Sequence, residues 1–241
     1  MSTRERVAVR VKRAIRHLAP QHVAKARVTK RVIDRFADKI GLVYFGYVDQ
    51  REEDQRLVRG HTVSATHIDS HYCIGTVHGY DVILLLRNDV VRLRNHKQAR
   101  CHWLMYTIDL HTKVDVPAFY VGHKTREQIY EAKYSSHKPL ILGHLAPYPS
   151  QFTGHYTVYG NAARTIEIER LITPSVADVI ATHFQGASFE VEDNTLYMYI
   201  ESKYPREPLL EKTLSNGLWL AEQIDTAMNP VVPIEDTGYH T

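Results

Sequence analysis

Apolar residues recur along this chain with two different periods. Between residues 24 and 40 the spacing is helical, with Ala24, Val28, Val32, Phe36 and Ile40 repeating every fourth position. Lys25, Arg31 and Arg35 lie off that stripe, and Gly41 is a plausible stop. Residues 4–18 show a similar pattern in Val7, Val11, Ala14, Ile15 and Leu18, ended by Pro20. Val7, Val9 and Val11 also alternate, so residues 7–12 fit a strand as well as a helix, and helix is favoured over the whole stretch.

After Gly41 the period falls to two. Residues 42–48 read as a strand, and residues 50–59 as a charged loop or short helix. Residues 61–76 alternate, His78-Gly79 is a turn candidate, and residues 80–87 follow, which together predict a long hairpin. Residues 90–100 read as a basic connection, and residues 103–110 and 114–121 as another strand pair. A short helix fits residues 125–134, and Pro and Gly punctuate a loop over residues 139–149 around a strand-like core at residues 140–142. Residues 156–159 and 164–170 read as extended. Thr173-Pro174 opens a helix, with Thr173 as N-cap and Pro174 in the first turn. Asp193-Asn194 separates two short strands, and Pro208 starts a final helix with Leu210, Leu214, Leu218, Ala221, Ile224 and Met228 on one stripe.

Strands grouped together, with helices at the ends, predict an α+β fold: a mixed, largely antiparallel sheet with C-terminal helices and a basic helical N-terminal arm. The implied organisation is an arm over residues 1–40, a single domain over 41–228 and a tail over 229–241. Residues 69–87 (DSHYCIGTVHGYDVILLLR), 173–184 (TPSVADVIATHF), 196–201 (LYMYIE) and 209–225 (LLEKTLSNGLWLAEQID) resemble a family of uncharacterised proteins from small-genome bacteria. The helix–hairpin–helix ending is similar to a wider bacterial domain of unknown function, often found in membrane-associated proteins. The resemblance implies a recurring α+β domain and brings no substrate or catalytic residue with it.

Charge changes the picture. Residues 1–40 hold 12 Lys or Arg against three acids, net +9, so a chain of net +3 leaves −6 on residues 41–241. A basic arm on an acidic body predicts docking on an anionic surface. The candidate anion-binding residues are Arg6, Arg10, Arg13, Arg16, Lys25, Arg31 and Arg35, with the basic stretch at residues 87–100 as a second positive patch. A solvated face, or an arm packed back on the body, is the ordinary alternative. Phe36 is the one aromatic residue among the first 40, a poor supply for base stacking.

Composition sets the class. At 241 residues, 44% hydrophobic and 24% charged, the chain is that of a globular protein. Its longest apolar run, residues 82–86, falls far short of the roughly 20 residues of a membrane-spanning helix. No apolar segment follows the N-terminal charges, and Cys73 and Cys101 form no disulfide framework. The expectation is a cytoplasmic protein, peripheral at the membrane if the arm meets lipid.

Fifteen histidines raise the question of metal. Strand alternation puts His67, Asp69 and His71 on one face, with Asp109 and His111 spaced alike on another strand. If those strands were neighbours, the five would offer a divalent cation imidazole and carboxylate donors. The competing reading is the polar, solvent-facing half of an antiparallel strand. Cys73 near His71, and Cys101 beside His102, are weak nucleophile candidates, because adjacent strand residues face opposite ways. Glu167, Glu169, Glu190 and Glu192 alternate in predicted strands and offer paired carboxylates. Phosphate-binding loops, dinucleotide fingerprints, H-E-x-x-H, G-x-S-x-G and C-x-x-C are all absent. The reading that follows is a non-enzymatic interaction module whose arm docks on a membrane surface, a membrane partner or nucleic acid. The alternative is a metal-dependent enzyme using the His/Asp set.

Overall fold

The computed structural model describes residues 20–48, 67–93, 97–129, 138–184 and 186–229. Helix α1 (Pro20–Ile40) leads into strands β1 (Val43–Gly46), β2 (Ile68–Val77), β3 (Tyr80–Arg92), β4 (Gln98–Asp109), β5 (Phe119–His123) and β6 (Lys138–Pro139). Helix α2 (Ser150–His155), strand β7 (Tyr156–Gly160) and helices α3 (Thr165–Leu171) and α4 (Pro174–His183) follow. The hairpin β8 (Ser188–Glu192) and β9 (Thr195–Glu201) precedes helix α5 (Glu207–Met228). The nine strands form one sheet in the order β1-β2-β3-β4-β9-β8-β5-β7-β6. Every pairing among the described residues is antiparallel, so the fold is α+β.

Turn chemistry explains the two hairpins read from sequence. Val77 pairs with Tyr80 across His78 and Gly79, whose φ angles are 52° and 86°. Glu192 pairs with Thr195 across Asp193 and Asn194, at 49° and 56°. Two consecutive positive φ values make the turn whose twist suits a two-residue hairpin. The Asn194 side chain also accepts from the Val116 amide at 3.0 Å, tying the approach to β5 to this turn. Thr173 caps α4, its hydroxyl accepting from the Val176 amide, with Pro174 in the first turn as predicted.

Three stretches differ from expectation. The described ends of the stretch at residues 90–100 are strand, with pairing continuing to Arg92 and Gln98. Val91 is buried while Arg92 and Arg100 are exposed, which is the alternation of a half-buried strand rather than of a connection. Residues 165–171 form a helix, burying Ile168 and Leu171 and leaving Ile166 outside, so their apparent alternation is helical spacing cut short. The strand expected at residues 114–121 starts only at Phe119, beyond Pro117.

Helices cover one face of the sheet. Leu84, Leu104, Tyr106 and Ile108 meet Leu210, Leu214, Leu220 and Ile224 from α5, and Val176 and Ile180 from α4 join the same core. Gly217 lets α5 come close, because a Cβ there would lie 2.8 Å from the Ile108 Cδ1. Helix α1 contributes Ile33, Phe36 and Ala37 to this core, while Val28 is 58% exposed. A strict fourth-residue repeat drifts by about 40° per step, so the buried side follows Thr29, Ile33, Phe36 and Ala37 instead. The end of the basic arm is therefore part of the body, not an appendage that stops at residue 40. The other face of the sheet buries Tyr72, Leu85, Trp103, Met105, Tyr120, Tyr159, Tyr197 and Tyr199.

Candidate docking face and the fate of the predicted ligands

Helix α1 carries six cations and two acids. With Ile33 and Phe36 holding its inner side, Lys25, Arg27, Lys30, Arg31 and Arg35 are left exposed. Val28 stands among them, one turn from Lys25 and from Arg31. Lys39 is spent on the body: its ammonium donates to Glu207 at 3.0 Å and Glu211 at 2.5 Å on α5. The Glu211 and Glu207 hydrogen bonds raise its pKa. Lys30 lies 5.7 Å from the centre of the Tyr44 ring, and Lys25 lies 5.7 Å from that of Tyr204, both within cation–π range. Arg6, Arg10, Arg13 and Arg16 lie outside the described residues.

The His/Asp set does not assemble. Strand β3 separates β2 from β4, so Asp109 and His111 do not meet His67, Asp69 and His71. Within β2 the register shifts between Ser70 and Cys73, and His71 takes a positive φ of 59°. This bulge breaks the parity that sequence spacing implied. His71 turns to Tyr44, its Nδ1 2.8 Å from the hydroxyl, and burial followed by the Lys30 charge lowers its pKa.

Asp69 instead makes a two-pronged ion pair with Arg87, at 2.7 and 2.6 Å, and accepts from the Tyr72 hydroxyl at 3.1 Å. His67 Nε2 is 3.8 Å from the same carboxylate. Asp109 accepts from Thr195 at 3.2 Å at the sheet's end. His111 stacks on Tyr80 with ring centres 4.1 Å apart, and its amide donates to Asp225 at 3.1 Å. Among the described residues, no three His, Cys, Asp or Glu side chains are grouped to hold a metal ion.

The thiols are poorly placed for chemistry. Burial, with Asp34 adding to it, pushes Cys73 up to about 12, so the thiolate is scarce at neutral pH. Cys101 is buried in the core of the opposite face. The four carboxylates read as pairs also part company. Glu167 is exposed and binds Arg164 at 2.8 Å, while Glu190 is buried and accepts from the Tyr199 hydroxyl at 3.1 Å.

Glu169 turns inward from α3 and takes hydrogen bonds from a loop. The amides of Gly143, His144 and Leu145 donate to it at 2.8, 3.1 and 2.8 Å, and His144 Nδ1 lies 2.9 Å away. Burial raises its pKa, but these donors outweigh burial and hold it down at about 2. Sequence reasoning missed this role, and the available signal was the Gly143 turn within an apolar loop.

No protein-family model matches the chain, and no curated protein matches it. Among solved structures, the crystal structure of the mycobacterial trehalose monomycolate transport factor A, TtfA, is similar, with a TM-score of 0.53 and 17% identity. The match covers 86% of this chain and 99% of that chain. At that identity the likeness is one of fold. Among the described residues no helix is long and apolar enough to cross a membrane.

Proposed function

We propose that this protein is a non-enzymatic interaction module that docks on an anionic membrane surface through helix α1. One observation carries the reading: Lys25, Arg27, Lys30, Arg31 and Arg35 are exposed on a helix whose other side is locked into the core. The cations are thus displayed by a rigid body, and docking need not order them first. Two features favour lipid over nucleic acid. Val28 is 58% exposed among the cations, as on an interfacial helix. Phe36, the one aromatic of the basic segment, is buried and offers nothing to stack on a base. The chain is also similar in fold to TtfA, a mycobacterial trehalose monomycolate transport factor.

The test is vesicle co-sedimentation. The full chain should bind vesicles containing phosphatidylglycerol, release them as salt rises, and ignore pure phosphatidylcholine. Arg31→Glu with Arg35→Glu should weaken binding at least about tenfold, since each basic residue near such a surface contributes about 1 kcal/mol. Unchanged binding by the double variant overturns the reading. Binding to RNA with none to vesicles moves the anionic partner to nucleic acid.

A further inference from the structure

The loop over residues 140–149 is held more firmly than its position on the surface requires. Glu169, 2% exposed, gathers three consecutive amides and one imidazole of that loop. Gly143 makes the turn at a φ of 108°. The Leu140 amide donates to the Val158 carbonyl at 2.8 Å, and the Tyr148 hydroxyl donates to the Ile172 carbonyl. Leu140 and Leu142 pack against the helix-side core.

This fixed backbone displays two aliphatic side chains. Ile141 is 82% exposed and Leu145 is 53% exposed. Single exposed apolar residues are ordinary. A pair presented by a loop that a buried carboxylate holds in place is not explained by folding, because neither side chain adds to the core.

The charge around the loop indicates what it meets. No Asp or Glu occurs between Glu131 and Glu167, while Lys133, Lys138 and Arg164 and three histidines do. Lys138 and His144 are exposed on the described part of that stretch. Beyond that stretch, Glu167 is bound by Arg164 at 2.8 Å, and Arg164 also reaches Asp115 at 3.4 Å. An aliphatic tip on a stretch of chain that carries cations and no acid suits the hydrocarbon margin beneath anionic headgroups.

We propose that Ile141 and Leu145 are an apolar anchor that enters the lipid layer when the protein docks. The proposal rests on the membrane reading above and adds a second, hydrophobic contact to it. Since Glu169 forms the loop in advance, insertion need not order it.

A fluorescent label tests this directly. Cys73 and Cys101 are buried, so a thiol introduced by Ile141→Cys can be labelled selectively with an environment-sensitive nitrobenzoxadiazole dye. On phosphatidylglycerol vesicles its emission should shift to the blue and brighten, while the same dye at Asp81→Cys on β3 should not respond. The uncharged variant Ile141→Ser with Leu145→Ser should bind those vesicles about tenfold more weakly, with unchanged circular dichroism and melting temperature. A silent label with wild-type binding by the serine variant overturns the anchor, even if Arg31→Glu with Arg35→Glu still weakens binding and α1 docking stands. If the wild-type chain binds no vesicles, both readings fall together.

Discussion

The two faces of the sheet bury different chemistry. The helix-covered face packs mainly aliphatic side chains from β3, β4 and β9 against α1, α4 and α5. The opposite face buries five tyrosines and Trp103 beside Arg87, Asp69, Asp89 and Glu190. A hydrophobic contact is graded, because each methylene lost costs its share. A buried ion pair is not graded, because removing one partner strands the other charge in a poor solvent. The first face should therefore weaken in steps when trimmed, and the second should fail at a single position.

Asp69→Ala is the largest break. It leaves the Arg87 guanidinium, 1% exposed, without its two-pronged acceptor. The expected loss is about 4 kcal/mol in chemical denaturation. Replacing the pair together, as Asp69→Leu with Arg87→Met, should recover most of that loss, since the desolvation cost disappears with the attraction. A single-variant loss no larger than that of a surface ion pair would show that the two faces do not differ in this way.

On the helical face the informative position is Phe36. Phe36→Ala should cost about 3 kcal/mol. The result decides whether the end of the basic segment belongs to the body, as its burial indicates. A variant as stable as wild type would return residues 29–40 to the status of a detachable arm.

The same contrast explains what could be read in advance. Local rules carried both hairpins, the α4 cap and the α5 stripe, because a turn dipeptide or a helical repeat is written in neighbouring residues. The second face is not written that way. Polar residues on a strand look solvent-facing, and nothing near Asp69 or Arg87 announces that both are inside. Counting outward from the Val77–Tyr80 turn places Arg87 opposite Ser70, yet the bulge at His71 moves its partner to Asp69. One inserted residue thus made an ion pair and separated His71 from the metal set proposed for it. The strand order, which kept Asp109 and His111 away, depends on long-range pairing that no local pattern encodes. The cationic side of α1 was legible as charge, but its buried side was misplaced by one step of the helix because the strict fourth-residue repeat was followed too far.

The smallest effect comes from a third way of burying charge, and it separates local from global stability. Glu169 lies on the helical side and is held by three backbone amides and the His144 imidazole, not by a guanidinium or ammonium group. Its folded pKa of about 2 lies below the ordinary value of 4.5. The carboxylate therefore contributes stability in full above about pH 4.5, and that contribution is lost as pH falls from there toward 2. Glu169→Gln keeps an acceptor but loses the charge and one carboxylate oxygen, so it should cost about 1–2 kcal/mol. It should also remove this part of the acid dependence, flattening stability between pH 4.5 and 2 relative to wild type. Amide hydrogen exchange should locate the change, with Gly143, His144 and Leu145 losing protection while β3 and β4 keep theirs. Loss of protection across the whole sheet would instead make Glu169 a core residue like Asp69, and the loop would no longer be a separately held element.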